Sequence, residues 1–153
     1  MIDTHAHLDG PEFFEDLAAV VTRAKDVGVN RVFLPNINAE TLPRIKQLCL
    51  DEPGFFYPML GLHPEDVNPE KIDVAHVLKE MEKELEQMDA SRTRFIAIGE
   101  VGLDFYWDEQ YRQEQLEVFE TQVEWAARYD LPLMIHARNA HAELLEIMNR
   151  HRH

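Results

Sequence analysis

The chain has 153 residues, 45% of them hydrophobic, which is enough to bury the core of one domain. Its 29 acidic and 15 basic residues give a formal net charge of −14, so most of the surface repels nucleic-acid backbones and anionic membranes. No apolar run approaches the length of a membrane span and the N-terminus is polar by Asp3, so we expect no signal peptide and a cytoplasmic protein.

Predicted strands and helices alternate along the whole chain, without a low-complexity segment or an obvious linker. The strands are predicted at the N-terminus within 1–8, then at 31–35, 55–60, 95–99 and 131–136. Helices are predicted over about 13–28, 41–51, 73–88, 110–129 and 140–150, the first ending at Gly28. The strands are continuously apolar, which is typical of a parallel sheet buried on both faces.

Two residues with reactive side chains are expected to lie outside any functional site. The single cysteine, Cys49, is flanked by leucines in a predicted helix and has no partner for a disulfide within the chain. We expect it to be a buried, unreactive residue. His76 falls in a helix rich in Glu and Lys and is expected at the surface.

Polar side chains follow or end the apolar strands. His5 and His7 share one face of the first strand, because side chains in a strand alternate with a period of two. His63 follows the third strand, Glu100 the fourth, and His136 ends the fifth. The C-terminal ends of parallel strands lie on one side of a sheet, so these five side chains are expected to meet at the face that carries the active site in (β/α)8 barrels.

Each of these residues alone has an ordinary structural explanation, but together they predict a site for one or two divalent ions. Imidazole and carboxylate groups are common metal ligands, and Glu100 can bridge two ions through its two oxygens. A metal pair polarises a phosphoryl or carbonyl oxygen and activates a water, so hydrolysis is the predicted reaction. Neither a Ser-His-Asp arrangement nor a glycine-rich phosphate loop competes, and Gly99 and Gly102 are expected to let the backbone turn sharply beside Glu100.

Four segments resemble, in the same order, the motifs of the TatD family of metal-dependent deoxyribonucleases, which are amidohydrolase-like (β/α)8 barrels. The segments are Asp-Thr-His-Ala-His-Leu at 3–8, Gly-Leu-His-Pro at 61–64, Ile-Gly-Glu-Val-Gly-Leu-Asp-Phe-Tyr at 98–106 and Ile-His-Ala-Arg at 135–138. The resemblance covers essentially the whole chain, and Gly-Glu-Val-Gly-Leu-Asp is its most specific part.

The resemblance implies a particular set of metal ligands. His5 and His7 would bind one ion, Glu100 would bridge it to a second ion, and His136 would bind that second ion. Two divalent ions per complete site are expected, as zinc, magnesium or manganese.

The resemblance also implies residues that act on the substrate. His63 would lie beside the substrate phosphate and take part in catalysis with Glu100. Arg138 matches a family motif and is expected to support substrate binding, whereas Asp104 is expected to form hydrogen bonds behind the ligands. The aromatic residues at 105–107 either stack on a nucleobase or plug the space under a loop.

The resemblance stops before a complete barrel is reached. Such barrels have eight strands and about 250 residues, whereas the chain supplies five strand and helix units. The family's barrel takes a further histidine from strand six and an aspartate from strand eight, and neither strand is present. His141 and the segment 149–153 lie in or after the last helix, so they are not expected to replace those ligands.

We therefore predict an α/β chain of the TIM-barrel type, truncated after about five units, with residues 1–153 forming the N-terminal part of one hydrolase domain. Its open edges favour self-association or pairing with a missing C-terminal half. The leading hypothesis is a TatD-type hydrolase that cleaves DNA from an end with a metal-activated water. Two alternatives remain, namely a hydrolase of a small ester, lactone or phosphate, and a non-catalytic half-barrel that serves as a binding or assembly module.

Overall fold

The computed structural model describes residues 1–91 and 94–151, so the last two residues of the C-terminal segment lie outside the described part. Strands and helices alternate as predicted. The strands are β1 Ile2–Asp3, β2 Arg31–Leu34, β3 Phe56–Pro58, β4 Ile98–Asp104 and β5 Leu133–Arg138. The helices are α1 Leu17–Asp26, α2 Leu42–Asp51, α3 Val74–Glu86, α4 Arg112–Tyr129 and α5 His141–Arg150.

The strands pair in parallel and in chain order. β2 lies between β1 and β3, β4 pairs with β5, and a bridge between Leu60 and Ile98 connects the two groups. The C-terminal ends of all five strands therefore point the same way, as predicted. Within the described residues, β1 and β5 are each paired on one side only.

Helices cover the sheet and form two apolar clusters with it. The larger cluster lies against β4, α3, α4 and α5 and contains Phe95, Phe119 and Trp125. The smaller cluster lies between β2, β3 and the first two helices and contains Val32, Leu34 and Ile45. Burial of each such side chain is worth roughly 1.5–3 kcal/mol relative to exposure, so the helices hold the strands, and the residues at their ends, in place.

The predicted helices are confirmed with small changes at their ends. The segment Pro11–Phe13 forms a separate 3-10 turn, so α1 begins at Leu17. Gly28 follows the end of α1 with a φ of 86°, as expected for a glycine that closes a helix. No helix in the described part of the chain is long and apolar enough to cross a membrane.

The position of two predicted site residues within their strands was wrong. β4 begins at Ile98 and continues to Asp104, and β5 continues to Arg138, so Glu100 and His136 lie inside strands rather than at their ends. The glycines beside Glu100 had indicated a turn, but both lie within β4: Gly102 pairs with His136, and Gly99 falls where the register between β4 and β5 shifts.

Gly102 allows strands β4 and β5 to approach each other closely. Its φ is 145°, and a Cβ added there would lie 1.9 Å from the backbone oxygen of His136. Only glycine, which has no Cβ, lets β5 come this near to β4. The prediction of a sharp turn at Gly102 is therefore corrected to a glycine-dependent contact between neighbouring strands.

Burial on both faces was predicted for every strand and holds throughout only in β4, since Arg31 in β2 is exposed. All seven residues of β4 are buried. Both residues of β1 are exposed, and Ile135 in β5 is 37% exposed. β1 and β5 are the end strands, so fewer neighbours cover them.

Candidate metal centre

The structure brings together the five residues predicted to meet at one end of the sheet. Glu100 projects from the middle of β4 and is 9% exposed. His5 and His7 follow β1, His63 precedes the 3-10 turn Pro64–Asp66, and His136 lies in β5. The Glu100 carboxylate is at the centre of the four imidazoles.

Each oxygen of the Glu100 carboxylate faces a different pair of histidines. Oε2 lies 3.1 Å from His5 Nε2 and 3.4 Å from His7 Nε2. Oε1 lies 3.3 Å from His136 Nδ1 and 3.7 Å from His63 Nε2. The five residues thus form two groups that share Glu100. The first group is His5, His7 and Glu100, and the second is His63, His136 and Glu100. Within each group the ligand atoms all lie within 4.8 Å of one another. Nitrogen and carboxylate oxygen donors converging at these distances fit a divalent transition-metal ion or zinc in each group.

In the first group, the nitrogen donors of both histidines converge on one oxygen of Glu100. His5 Nε2 and His7 Nε2 are 3.1 Å apart, and both face the same oxygen of Glu100. On the other side of its ring, His7 Nδ1 is buried and has no hydrogen-bond partner among the described residues. The buried Oδ1 of Asp9 is unpaired in the same way.

The second group differs because the ring of His63 has its proton position fixed by the backbone. The Nδ1 atom of His63 accepts a hydrogen bond of 3.2 Å from the Glu65 N–H. A neutral imidazole with an accepting Nδ1 carries its proton on Nε2, which then donates and has no lone pair for a metal. This arrangement favours the predicted place of His63 beside a substrate phosphate over the role of a metal ligand.

In His136, by contrast, a neighbouring carboxylate orients the ring so that the unprotonated nitrogen faces Glu100. Asp104 Oδ2 lies 2.7 Å from His136 Nε2, and Asp104 is 4% exposed. With a proton on Nε2, the ring presents the lone pair of Nδ1 toward Glu100. The hydrogen bond expected for Asp104 is thus present.

Charge within the cluster shifts three pKa values. Burial alone would raise the pKa of Glu100, but hydrogen bonds with His136, His63 and His7 outweigh it and hold that pKa well below its usual range. The hydrogen bond to Glu100 raises the pKa of His7 and that of His136. Without a metal, the carboxylate therefore attracts protons onto the same nitrogens that a metal would use.

Three buried amide side chains that sequence reasoning missed hold the backbone around the centre. Gln122 bonds both backbone groups of Leu62, at 2.7 and 3.2 Å, and Gln115 bonds both backbone groups of Asp104, at 2.9 and 3.1 Å. Asn36 is fully buried; its side-chain Nδ2 donates to the Asn38 carbonyl oxygen and to Thr41 Oγ1 at 2.7 Å each, and its backbone oxygen accepts from the Glu100 N–H at 2.9 Å. The two glutamines are seven residues apart on the buried face of α4, and polar residues at that spacing were the available signal.

Other predictions concern residues outside the ligand set. His76 is exposed on α3, as expected. Burial raises the pKa of the partly buried Cys49 thiol to about 12, which makes it unreactive as a nucleophile. His151 lies 2.8 Å from Glu120 on α4 and does not join the centre.

A cavity of about 270 Å³ opens over the ligands, beside a second cavity of about 300 Å³ that reaches Asp104 and Trp107. The first is lined by His7, Ile37, His63, Glu65, Asp66 and Glu100. A larger cavity of about 410 Å³ is lined by residues of α2 and α3 and by none of the ligands, so we do not associate it with the metal centre. The expected substrate residue Arg138 lies at the end of β5.

The sequence profile of the family described as TatD related DNase matches residues 2–153. The chain belongs to this family. TatD relatives also share its fold: the crystal structure of the TatD homolog YjjV from Escherichia coli superposes with a TM-score of 0.87 at 34% identity, covering 99% of this chain and 56% of that one. The family resemblance inferred from the motifs is confirmed, and with it an α/β fold related to TIM barrels.

Proteins related to this chain in sequence have names that describe their activities with differing precision. An "Uncharacterized metal-dependent hydrolase YabD" of Bacillus subtilis is 34% identical over 149 residues, which are 97% of this chain and 54% of YabD. A "3'-5' ssDNA/RNA exonuclease TatD" of Pantoea vagans is 29% identical over 148 residues, covering 97% of this chain and 54% of that protein. The chain spans about half the length of the relatives it matches.

Proposed function

We propose that this chain carries two divalent ions and cleaves phosphodiester bonds of DNA from an end of a single strand. The observation that carries the proposal is the shared Glu100 carboxylate, with His5 and His7 at one oxygen and His136 at the other. The name of the Pantoea vagans relative, an exonuclease on single-stranded DNA and RNA, supports the substrate class.

The protein's own residues have separable tasks in this proposal. His5, His7 and His136 would hold the ions, and Glu100 would contribute one carboxylate oxygen to each of the two positions. When bound, the ions lower the pKa of a coordinated water and polarise the phosphoryl oxygen. His63 lines the cavity over the ligands, carries its proton on Nε2 and donates it as a hydrogen bond to a phosphate oxygen.

The negative charge of the chain must be overcome locally if it is to bind DNA. A net charge of −14 opposes DNA binding, which normally relies on Lys and Arg contacts to phosphates. Positive charge must then be supplied locally, by the ions and by Arg138. We therefore expect the metal to strengthen binding of the strand as well as to enable its cleavage, with Arg138 supplying the part of the binding that does not need the metal.

Release of nucleotides from 3′-labelled and 5′-labelled single-stranded DNA, with a divalent metal or a chelator, tests the proposal. We expect metal-dependent release that Glu100→Gln lowers by about 100-fold or more, because both ions lose a ligand. His76→Ala, an exposed histidine on α3, is the matched control and should retain activity.

Other outcomes select the alternatives. Metal-dependent hydrolysis of a small ester or lactone without action on DNA would contradict the nuclease and support the small-molecule hydrolase. Metal binding without hydrolysis of either substrate would support a binding or assembly module.

A further inference from the structure

Two aromatic side chains are exposed beside the metal centre, in the loop after β4. Tyr106 is 49% exposed and Trp107 is 70% exposed, although aromatic residues of this size usually bury most of their surface. Their ring centroids are 4.7 Å apart and the ring planes meet at 84°, so the faces of the two rings are presented at nearly a right angle.

The guanidinium of Arg138 completes this group of three side chains, which we call the aromatic platform. Its Cζ lies 3.6 Å from the centroid of the Tyr106 ring and 5.2 Å from that of the Trp107 ring. Among residues 1–91 and 94–151, no carboxylate pairs with the Arg138 guanidinium, and none of the guanidinium N–H groups donates a hydrogen bond to protein. A cation with five free donors, in a chain of net charge −14, is complementary to an anionic ligand.

Short contacts fix the platform relative to the metal centre. The Tyr106 N–H donates to Asp104 Oδ1 at 2.9 Å, and the other oxygen of that carboxylate contacts His136. The indole Nε1 of Trp107 donates to Glu65 Oε1 at 3.1 Å. Glu65 also lines the cavity over the ligands, so the platform borders the space in which the phosphate is expected to lie.

We propose that the aromatic platform binds an unpaired nucleobase of the substrate, with the base stacked on Trp107 and an adjoining phosphate held by Arg138. This inference rests on the proposed function for its substrate class. Aromatic faces stack on any base without reading its identity, and a guanidinium pairs with phosphate oxygens in a fork geometry. The platform would thus hold the end of a strand by features common to all nucleotides and select single strands, whose bases are free to stack.

The two tryptophans of the chain provide a direct test. Trp107 is exposed, whereas Trp125 is 2% exposed and shielded from ligands, so a change in emission on binding reports on Trp107. The protein would be titrated with short single-stranded oligothymidylate in the presence of a chelator. A parallel titration would use the same oligonucleotide with abasic terminal residues, which retains the phosphates but lacks the terminal bases. Stacking predicts quenching by the first oligonucleotide and an affinity lower by between about 5-fold and 150-fold for the second.

Two variants test whether the base-dependent affinity comes from the aromatic platform. Trp107→Ala, followed by anisotropy of a labelled oligonucleotide, should reduce the base-dependent part of the affinity to near zero. Phe14→Ala is the matched control, since Phe14 is also exposed, at 59%, and also lies under an arginine, Arg44, at 5.2 Å. Equal affinity for the two oligonucleotides, no binding of either, or an equal loss in both variants would overturn the inference.

The titration is independent of the nuclease assay because it is performed without metal. Cleavage of DNA without base-dependent quenching would overturn the platform and leave the nuclease standing. Base-dependent quenching without cleavage would support the platform and contradict the nuclease. Shielding of Trp107 from acrylamide in the free protein would show that another part of the protein covers it, which would also overturn the platform.

Discussion

His136 Nε2 and Asp104 Oδ2 are 2.7 Å apart, and this contact fixes which nitrogen of His136 is offered to a metal. The opposite nitrogen, Nδ1, lies 3.3 Å from Glu100 Oε1. Since Asp104 is 4% exposed, water does not compete for the hydrogen bond. The buried carboxylate and the metal position therefore act on opposite sides of one ring.

We predict that Asp104→Asn weakens binding of the second ion by about 10- to 100-fold, because the amide no longer holds the tautomer that frees Nδ1. Metal titration followed by calorimetry measures this directly. Asp108→Asn, the same substitution on an exposed residue of the following loop, is the control and should bind normally. Equal affinity in the two variants would refute the orienting role of Asp104.

His63 and His136 both face Glu100 Oε1, but we predict different effects of removing them. His136→Ala should lower the number of bound ions from two to one in native mass spectrometry. His63→Ala should keep both ions and lower turnover, because the proton of His63 lies on Nε2. Loss of an ion in the His63 variant would show that His63 is a metal ligand.

Much of the centre followed from the sequence because strand order and side-chain period are local properties. Alternating strands and helices place strand ends on one side, so the convergence of the histidines on Glu100 was predictable. The hydrogen bonds that orient those side chains were less accessible. The bond from Gln122 to Leu62 spans 60 residues, and the proton position on His63 depends on one backbone N–H.

Strand boundaries were predicted less well for a related reason. Glycines in a sequence indicate turns, and nothing in the local pattern around Gly102 shows that another strand passes against it. The contact with the His136 backbone exists only once β4 and β5 are paired. Burial of the end strands likewise depends on neighbours that each strand's own sequence does not identify.

The metal-free and metal-bound proteins should respond to pH in opposite ways. The pKa values of His7 and His136 are raised above 6.5 by Glu100, so the stability from these contacts is complete below pH 6.5 and is lost as the pH rises through the raised values. The pKa of Glu100 is lowered from 4.5, so its contribution is present above pH 4.5 and is lost in stronger acid. Metal binding needs neutral imidazoles and should strengthen as the pH rises.

Urea unfolding at about pH 5.5 and about pH 8, with a divalent metal or with a chelator, measures both trends. In the chelator the free energy of unfolding should be smaller at the higher pH, whereas the gain on adding metal should be larger there. His7→Ala combined with His136→Ala should reduce both dependences. A stability that rises with pH in the chelator, and is unchanged in the double variant, would contradict the charge arrangement described for the centre.

Gly102→Ala should damage both the fold and the second metal position, because its Cβ would lie 1.9 Å from the His136 oxygen and would push β5 away from β4. Gly54→Ala is the matched control: Gly54 also has a positive φ, 83°, but a Cβ there meets nothing within 4 Å. Backbone strain alone should cost the control about 1 kcal/mol, whereas Gly102→Ala should cost at least about 2 kcal/mol more. Urea unfolding gives both costs, and metal titration should show weaker binding only in the Gly102 variant. Equal losses in the two variants would mean that strain at a positive φ, and not contact between the strands, makes glycine necessary at position 102.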